Sequence, residues 1–534
     1  MRRICRYFFL EITPIYPVAQ VNMQLDQYYD TLFSRYHQRP AIQSKNRVIT
    51  YEELDHMSAQ LAGVYRSLGL EEAHRVGILM HNRPEYIITQ IAAARAGVVA
   101  VPLNDQLDRS ELQDILSEIS LSALFLGPDF IDIAKSLDKE LLEIKYVIGV
   151  TEEDQDLPVG FHDFQKTVER GNKTPPKVDI VPSDSAAIFH SGGTTGSPKQ
   201  IIHTHHGLTL NALAHIQELE IQREERVLLT TPLAHTSNFI VRGALAQGAT
   251  IFLQDEFSPQ SAVNTIQSEN ITWTFLVPTM IARLLHSSSF SESALNSLNT
   301  LVYGASSMPP ALLREGINKL GQVFIQLYGL MEAPNLVTTL PKSQHNPSRP
   351  SRLQTVGYPT QFAEITLIDE ENQWPDGIGE VAVESPFGMK GYVNAESNSD
   401  QIRTGDLGRF DEAGRLVVLD RIQDLIQTPD GIVFSPQVEN ALQQHPKIRQ
   451  AAAIAVPADG LASTRSNRRQ HVEQQVKGIV ATTDNGQIDL DDVQKFCRQS
   501  LDGHEIPQSV DFVERLPETP FGKVDKATLR EPYW

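Results

Sequence analysis

Cysteine is nearly missing from this chain of 534 residues, occurring only as Cys5 and Cys497. One such pair cannot build a disulfide framework, so the composition points to a reducing, cytoplasmic setting. Positive charge is also short. Lys and Arg number 46 against 66 Asp and Glu, a formal net charge of -20, and a polyanion such as nucleic acid is not an expected partner. Long apolar runs are missing as well. The most apolar stretch, 87–103, is broken by Gln90 and Arg95, whereas a bilayer span needs about 20 apolar residues, so no transmembrane segment is expected. At the N-terminus, Glu11 and Pro14 cut the run in "MRRICRYFFLEITP" short of a secretory signal. Residues 1–22 therefore read as an extension, and the domain proper is expected from Met23.

What is present is βα alternation. Leu54, Met57, Leu61, Val64 and Leu68 fall at helical spacing before Gly69. Strands at 75–80, 97–103 and 122–127 alternate with helices at 84–96 and 109–119, and the pattern resumes around 226–255, 259–285 and 299–328. This predicts an α/β fold, a large N-terminal domain of stacked βαβ sheets. A small β-rich subdomain follows, with turn signals near 369–379 and 411–415. Beyond Arg421 a helix near 436–445, strands at 450–457 and 476–483, a helix at 489–501 and the strand "SVDFVERLP" predict a small α+β C-terminal domain. Between its first two strands the polar run 458–475 reads as a solvated loop.

One loop concentrates chemistry. "FHSGGTTGSPKQ" (189–200) lies between the apolar strands "SAAIF" and "QIIHTH". Gly192 and Gly193 let backbone N–H groups converge on an anion. Ser191, Thr194, Thr195 and Ser197 add hydroxyls, Gly196 adds a further flexible point, and Lys199 adds a mobile positive charge. A polyphosphate best satisfies that donor set. The Walker pattern G-x-x-x-x-G-K-[ST] does not fit. A strand–loop–strand setting suggests a lid over phosphates, and Pro-Lys between apolar strands is unlike a plain Ser/Gly linker.

Four more stretches occur in order: "QLYGLMEAPN" (326–335), "RTGDLGRF" (403–410), "DRIQDLI" (420–426) and "LPETPFGKVDK" (516–526). Together with the loop they resemble the adenylate-forming superfamily of acyl-CoA synthetases, firefly luciferase and non-ribosomal adenylation domains. "GGTTG" is similar to the fatty-acyl and aryl-acid ligase branch. The resemblance implies activation of a carboxylic acid, fatty or aryl, with ATP and Mg²⁺, then transfer of the acyl group to the thiol of CoA. By the same resemblance, Ser191 to Lys199 would grip the β- and γ-phosphates and Glu332 would help hold Mg²⁺. Tyr328 and Gly329 with Gly304, Ala305 and Ser306 would line the adenine pocket. Asp406 would take the ribose hydroxyls, Arg421 the ribose or phosphate, and Lys523 would stabilise the adenylation transition state. His235, in "PLAHTSNF", borders the acid pocket, for which Ser237, Asn238, Phe239, Tyr303, Gly329 and Leu330 are the other candidates. Gln423 sits at the implied hinge, 421–424. This divides the chain into 23–420 and a mobile 425–534 that swings Lys523 in and out. Singly these residues have plainer readings: an Asp in "TGD" serves turns, and a terminal Lys is usually solvated. "HTHH" (203–206) suggests a metal site, but it lacks carboxylate or thiolate companions.

The pattern has departures. Met331 stands where the family has Thr, "TPDG" (428–431) replaces a Gly-Gly pair, the approach to "RTGD" lacks a Gly-Trp pair, and 458–475 is long and basic. They leave three readings: CoA ligase, ligase loading a carrier-protein phosphopantetheine or an amine, or nucleotide-binding protein without turnover. No acidic pocket residue meets a substrate ammonium, which disfavours an amino acid. Monomer or homodimer is left open.

Overall fold

A computed structural model describes residues 23–45, 47–136, 144–152, 155–191, 198–393, 401–458, 473–483, 488–519 and 524–534. Two mixed sheets form the body of the large domain. In the nine-stranded sheet, Phe324–Tyr328, Thr300–Tyr303, Trp273–Leu276, Arg226–Leu229, Thr250–Leu253 and Pro40–Ser44 run parallel in that order. Antiparallel strands close its two edges. In the eight-stranded sheet Ser185–His190, Val99–Pro102, Arg75–Leu79, Ala123–Leu126 and Tyr146–Gly149 are parallel neighbours. Most of these strands are four- or five-residue apolar runs buried at nearly every position, as parallel strands covered on both faces must be.

One core gathers Val76, Ile78 and Ala100 of the smaller sheet with Ile42, Val227 and Ile251 of the larger. Between them lies the helix Pro84–Ala96, buried at every residue, which is why "IITQIAAARA" is apolar all round. Its single cation, Arg95, is neutralised by Asp55 (2.6 Å) and Asp30 (2.8 Å). A second interior helix, His205–Glu218, follows the strand Gln200–Thr204 directly, with the Thr204 hydroxyl accepting from the Gly207 N–H. Periodicity left this helix unmarked because its buried residues are spread around the axis, polar ones included.

Glu364–Ile368, Gly379–Glu384, Ile402–Phe410 and Leu416–Arg421 form an antiparallel sheet. After Arg421 a three-stranded sheet, Ile448–Pro457, Gln474–Thr482 and Ser509–Val513, packs with the helices Ser435–Gln443 and Leu490–Cys497 around Val438, Leu442, Val480 and Val493. The architecture is thus a large domain of several mixed sheets with a small α+β domain behind it. One boundary needs correction. The solvated loop read over 458–475 ends earlier, because Gln474 and Gln475 pair with Pro457 and Val456. Ladder hydrogen bonds there override polar side chains, and residues 459–472 lie outside the described set. Among the described residues no helix is long and apolar enough to cross a membrane.

Candidate active site

Two strand ends and one hairpin make the first half of the site. Asp406 and Arg421 are direct cross-strand partners, which brings Arg421 Nε to 3.3 Å from Asp406 Oδ1. The phenol of Tyr328, at the end of Phe324–Tyr328, donates to Asp406 Oδ2 at 2.7 Å. Burial, and next the Asp406 charge, push the Tyr328 pKa well up, so it remains the donor. The carboxylate is only 8% exposed. Ionised carboxylate oxygens only accept, which makes this group suited to hydroxyl donors of a ligand.

Gly304 and Gly329 are dictated by space. A Cβ on Gly304 would lie 2.4 Å from the Leu327 carbonyl oxygen, and one on Gly329 would lie 2.8 Å from Asn335 Cα. A side chain at 304 would prise apart Thr300–Tyr303 and Phe324–Tyr328, whose ends carry the site, and one at 329 would push away the Asn335 backbone. Between them Ala305 is exposed and adopts a left-handed φ of 66°, and Ser306 is half-buried. A non-glycine residue held there is strained, a state that persists only where its surroundings impose it.

The second half is the neck of the glycine-rich loop. Ser191 N–H donates to the Lys199 carbonyl, and Lys199 N–H to Ser191 Oγ, both at 2.9 Å. Gly192, Gly193, Thr194, Thr195 and Gly196 lie outside the described residues, as does Lys523. The Lys199 ammonium sits 5.1 Å from the ring centroid of Tyr392, whose hydroxyl donates to Glu332 Oε1 at 2.9 Å. The Glu332 carbonyl accepts from Met389 N–H at 2.7 Å. Met331, the departure from the motif, packs its side chain on the main core, and its carbonyl accepts from His203 Nε2 at 2.8 Å. Burial lowers the His203 pKa to about 4, so its ring is neutral at pH 7 with the proton on Nε2. His205, from the same "HTHH", is fully buried at the start of its helix.

The acid-pocket candidates divide. His235 stands at the N-cap of the helix Thr236–Ala246, and Leu330 packs partly buried beside Ala333 and Val337. The others are interior. Ser237 shares a hydrogen bond with Thr231, and Asn238 donates to the Leu233 carbonyl (2.9 Å) and to Tyr86 (3.3 Å). Phe239 lies against Phe189, centroids 4.7 Å apart. Tyr303 points to the opposite face of its sheet, donating to Gln326 and pairing with His345 at 3.0 Å. As lining residues these four need correction: all are 0–1% exposed, and the strand alternation and helix face that place them turn them into the core. A cleft of about 730 Å³ lies beside Glu332's neighbour Met389, lined also by Phe362, Glu384, Lys390 and Ile402.

Gln423 is exposed in the short turn Ile422–Asp424, and its carbonyl accepts from Arg530, which pairs with Asp424 at 2.7 Å. Next to this turn is a group that motif reading passed over. Asp420, 5% exposed, accepts from Ser435 N–H (2.6 Å) and Oγ (2.7 Å). Lys526 reaches Ser435 Oγ (2.6 Å) and Glu439 (2.7 Å). Burial raises the Asp420 pKa to about 6 against the pull of Lys526 and the Ser435 donors. Tyr392, in the approach to "RTGD", carries no motif signal either. Only proximity to Glu332 gives it meaning.

A hard cation suits this corner. Among the described residues no cluster of three or more His, Cys, Asp or Glu is arranged for a metal. A Mg²⁺ ion is usually bound through one or two carboxylates together with substrate phosphates and waters. Glu332 has one oxygen engaged by Tyr392 and a second with lone pairs of its own.

The chain is similar to known families and proteins along most of its length. The model described as AMP-binding enzyme matches residues 30–393, and that of the AMP-binding enzyme C-terminal domain matches 437–523. A feruloyl-CoA synthase from Amycolatopsis sp is 28% identical over 92% of this chain and 96% of its own. The medium/long-chain-fatty-acid–CoA ligase FadD8 of Mycobacterium tuberculosis is 27% identical over 94% of this chain and 88% of its own. Among solved structures, the amide bond synthetase McbA from Marinactinospora thermotolerans superposes with a TM-score of 0.84 at 26% identity, covering 96% of this chain and all of McbA.

Proposed function

Since this chain belongs to the AMP-binding enzyme family, we propose that it is an AMP-forming acid–thiol ligase that converts a fatty or aryl carboxylic acid to its CoA thioester. The observation that carries this reading is the pairing of two half-sites. Asp406, Tyr328 and Arg421 present a carboxylate for ribose beside Gly304, Ala305 and Ser306. Glu332, Tyr392 and Lys199 gather a metal-binding carboxylate and a phosphate-binding cation at the loop neck. Relatives that activate aryl and fatty acids as CoA esters support the same class.

In the first half-reaction a substrate carboxylate oxygen attacks the α-phosphorus of ATP. The new P–O bond forms as the bond to the β-phosphate oxygen breaks, giving acyl-AMP and pyrophosphate. Both reactants are anions, so the chain must hold them together and offset charge rather than supply a nucleophile. Asp406 fixes the sugar through its hydroxyls, and Arg421 approaches the ribose and phosphate edge. The loop closed by Ser191 and Lys199 holds the outer phosphates. Bound Mg²⁺, held by Glu332, would offset charge on the phosphate oxygens. His235 borders the acid. Lys523, which the "PFGK" motif marks, supplies positive charge to the transition state. The small domain then turns about Gln423, removing Lys523, and a thiolate attacks the acyl carbonyl to release AMP.

A second reading changes only the acceptor. "TPDG" at 428–431 forms a tight hairpin, with Thr428 Oγ1 donating to the Gly431 carbonyl at 2.8 Å. A relative named a fatty acid–[acyl-carrier-protein] ligase, ScoC of Streptomyces coeruleorubidus, and the amide synthetase McbA fit a carrier-protein or amine acceptor. Pyrophosphate release across a panel of carboxylic acids, with CoA, carrier protein or amine supplied, tests both. Lys523→Ala is expected to abolish acid-dependent ATP–pyrophosphate exchange while sparing thioester formation from supplied acyl-AMP. Exchange that is absent with every acid, or equal loss of both half-reactions, would overturn the assignment.

A further inference from the structure

Tyr392 has no step of its own in the reaction described above, yet it touches two of the groups that carry it. It ends the two-residue strand Gly391–Tyr392, which pairs with Gln200–Thr204 so that Tyr392 stands opposite Ile201, two residues from Lys199. On its other side the chain is tied to Glu332 through Met389 N–H. The side chain is half-buried, its hydroxyl on Glu332 Oε1 and its ring under the Lys199 ammonium.

We propose that Tyr392 is a positioning residue that sets the metal-binding carboxylate and the phosphate-binding cation with one side chain. The inference rests on the site reading above. Its hydroxyl fixes the rotation of the Glu332 carboxyl group by engaging one oxygen, and the other is left for a hard cation. The face of the ring is electronegative and attracts an ammonium within about 6 Å of the centroid. Lys199 is exposed and carries a flexible four-carbon stem, so this contact confines a cation that would otherwise sample a wide volume. Strand pairing fixes the ring's distance from Lys199, and the Met389 hydrogen bond fixes its distance from Glu332. The two roles are chemically separable, because phenylalanine keeps the ring and loses the hydroxyl, while leucine loses both.

The test uses the full-length protein and α,β-methylene-ATP, a non-cleavable analogue, titrated calorimetrically with Mg²⁺ and again with chelator. For wild type, binding is expected to be tighter with Mg²⁺. For Tyr392→Phe, affinity falls roughly tenfold with Mg²⁺, the loss of one hydrogen bond to a charged group, and is unchanged in chelator. For Tyr392→Leu, affinity falls under both conditions, because Lys199 loses its platform. Equal Mg²⁺-dependent affinity in Tyr392→Phe and wild type overturns the hydroxyl's role. A Tyr392→Leu protein indistinguishable from Tyr392→Phe overturns the ring's. Were wild type itself indifferent to Mg²⁺ or unable to bind the analogue, the reading of the site would fall first and the inference with it.

Discussion

Five histidines in the large domain make a sharp prediction about acid. Burial lowers the pKa of His190, His203, His205, His215 and His345 to about 4 each, against about 6.5 in the unfolded chain. Their folded-state values are depressed, so the unfolded state binds more protons below pH 6.5. Their contribution is fully present above that pH and is lost as pH falls towards 4. One unit is worth about 1.36 kcal/mol, so at pH 5 each ring costs about 2 kcal/mol and the five together on the order of 10. Asp420, raised to about 6, works in the opposite sense and returns only about 1 kcal/mol over the same interval. A domain stable by about 5–15 kcal/mol should therefore approach its unfolding threshold between pH 6 and 5. The site would suffer with it, since His203 supports the Met331 carbonyl beside Glu332. The measurement is urea unfolding at pH 7, 6 and 5, together with NMR titration of the imidazoles. A urea midpoint that does not move from pH 7 to 5, or imidazole titrations near 6.5, would refute the reasoning.

Other perturbations separate the ribose contact from the domain junction. Asp406→Asn weakens a carboxylate that holds Tyr328 and Arg421. It is expected to raise the ATP KM in pyrophosphate exchange by about ten- to a hundredfold, whereas Tyr328→Phe costs at most about tenfold; equal KM values in wild type and Asp406→Asn would remove the ribose role. Lys526→Met leaves the buried Asp420 and the half-buried Glu439 without their cation and should destabilise the small domain by about 3 kcal/mol. Trp534, whose indole donates to the Ala455 carbonyl at 2.9 Å, is the only tryptophan after Arg421, so in a background with Trp273→Phe and Trp374→Phe its fluorescence in urea reads that domain. An unchanged midpoint would show that the network carries no net stability.

The sequence by itself determined the order of elements and the parts of the site that live in local spacing. "RVGILM", "GVVAVPL" and "SALFLG" are too short and too apolar to be anything but doubly covered strands. The turn signals near 411–415 announce a reversal of the chain, but "RTGD", which reads as a turn, lies within the strand Ile402–Phe410, and only the hairpin's register sets Asp406 opposite Arg421. Even Gly304 and Gly329 were legible as motif members, though the reason for them, the Leu327 or Asn335 backbone 2.4 to 2.5 Å from any Cβ, was not. Tertiary structure decided what depends on contacts between distant segments. Which face a residue turns inward is such a matter: Ser237, Asn238, Phe239 and Tyr303 are wall supports because their helix and strand are covered by elements far away in sequence. The tie from Lys199 through Tyr392 to Glu332 spans some 190 residues of chain, and that from Asp420 to Lys526 about 100. No periodicity encodes such pairs. They exist only once sheet pairing and domain docking have converted separation along the chain into proximity in space.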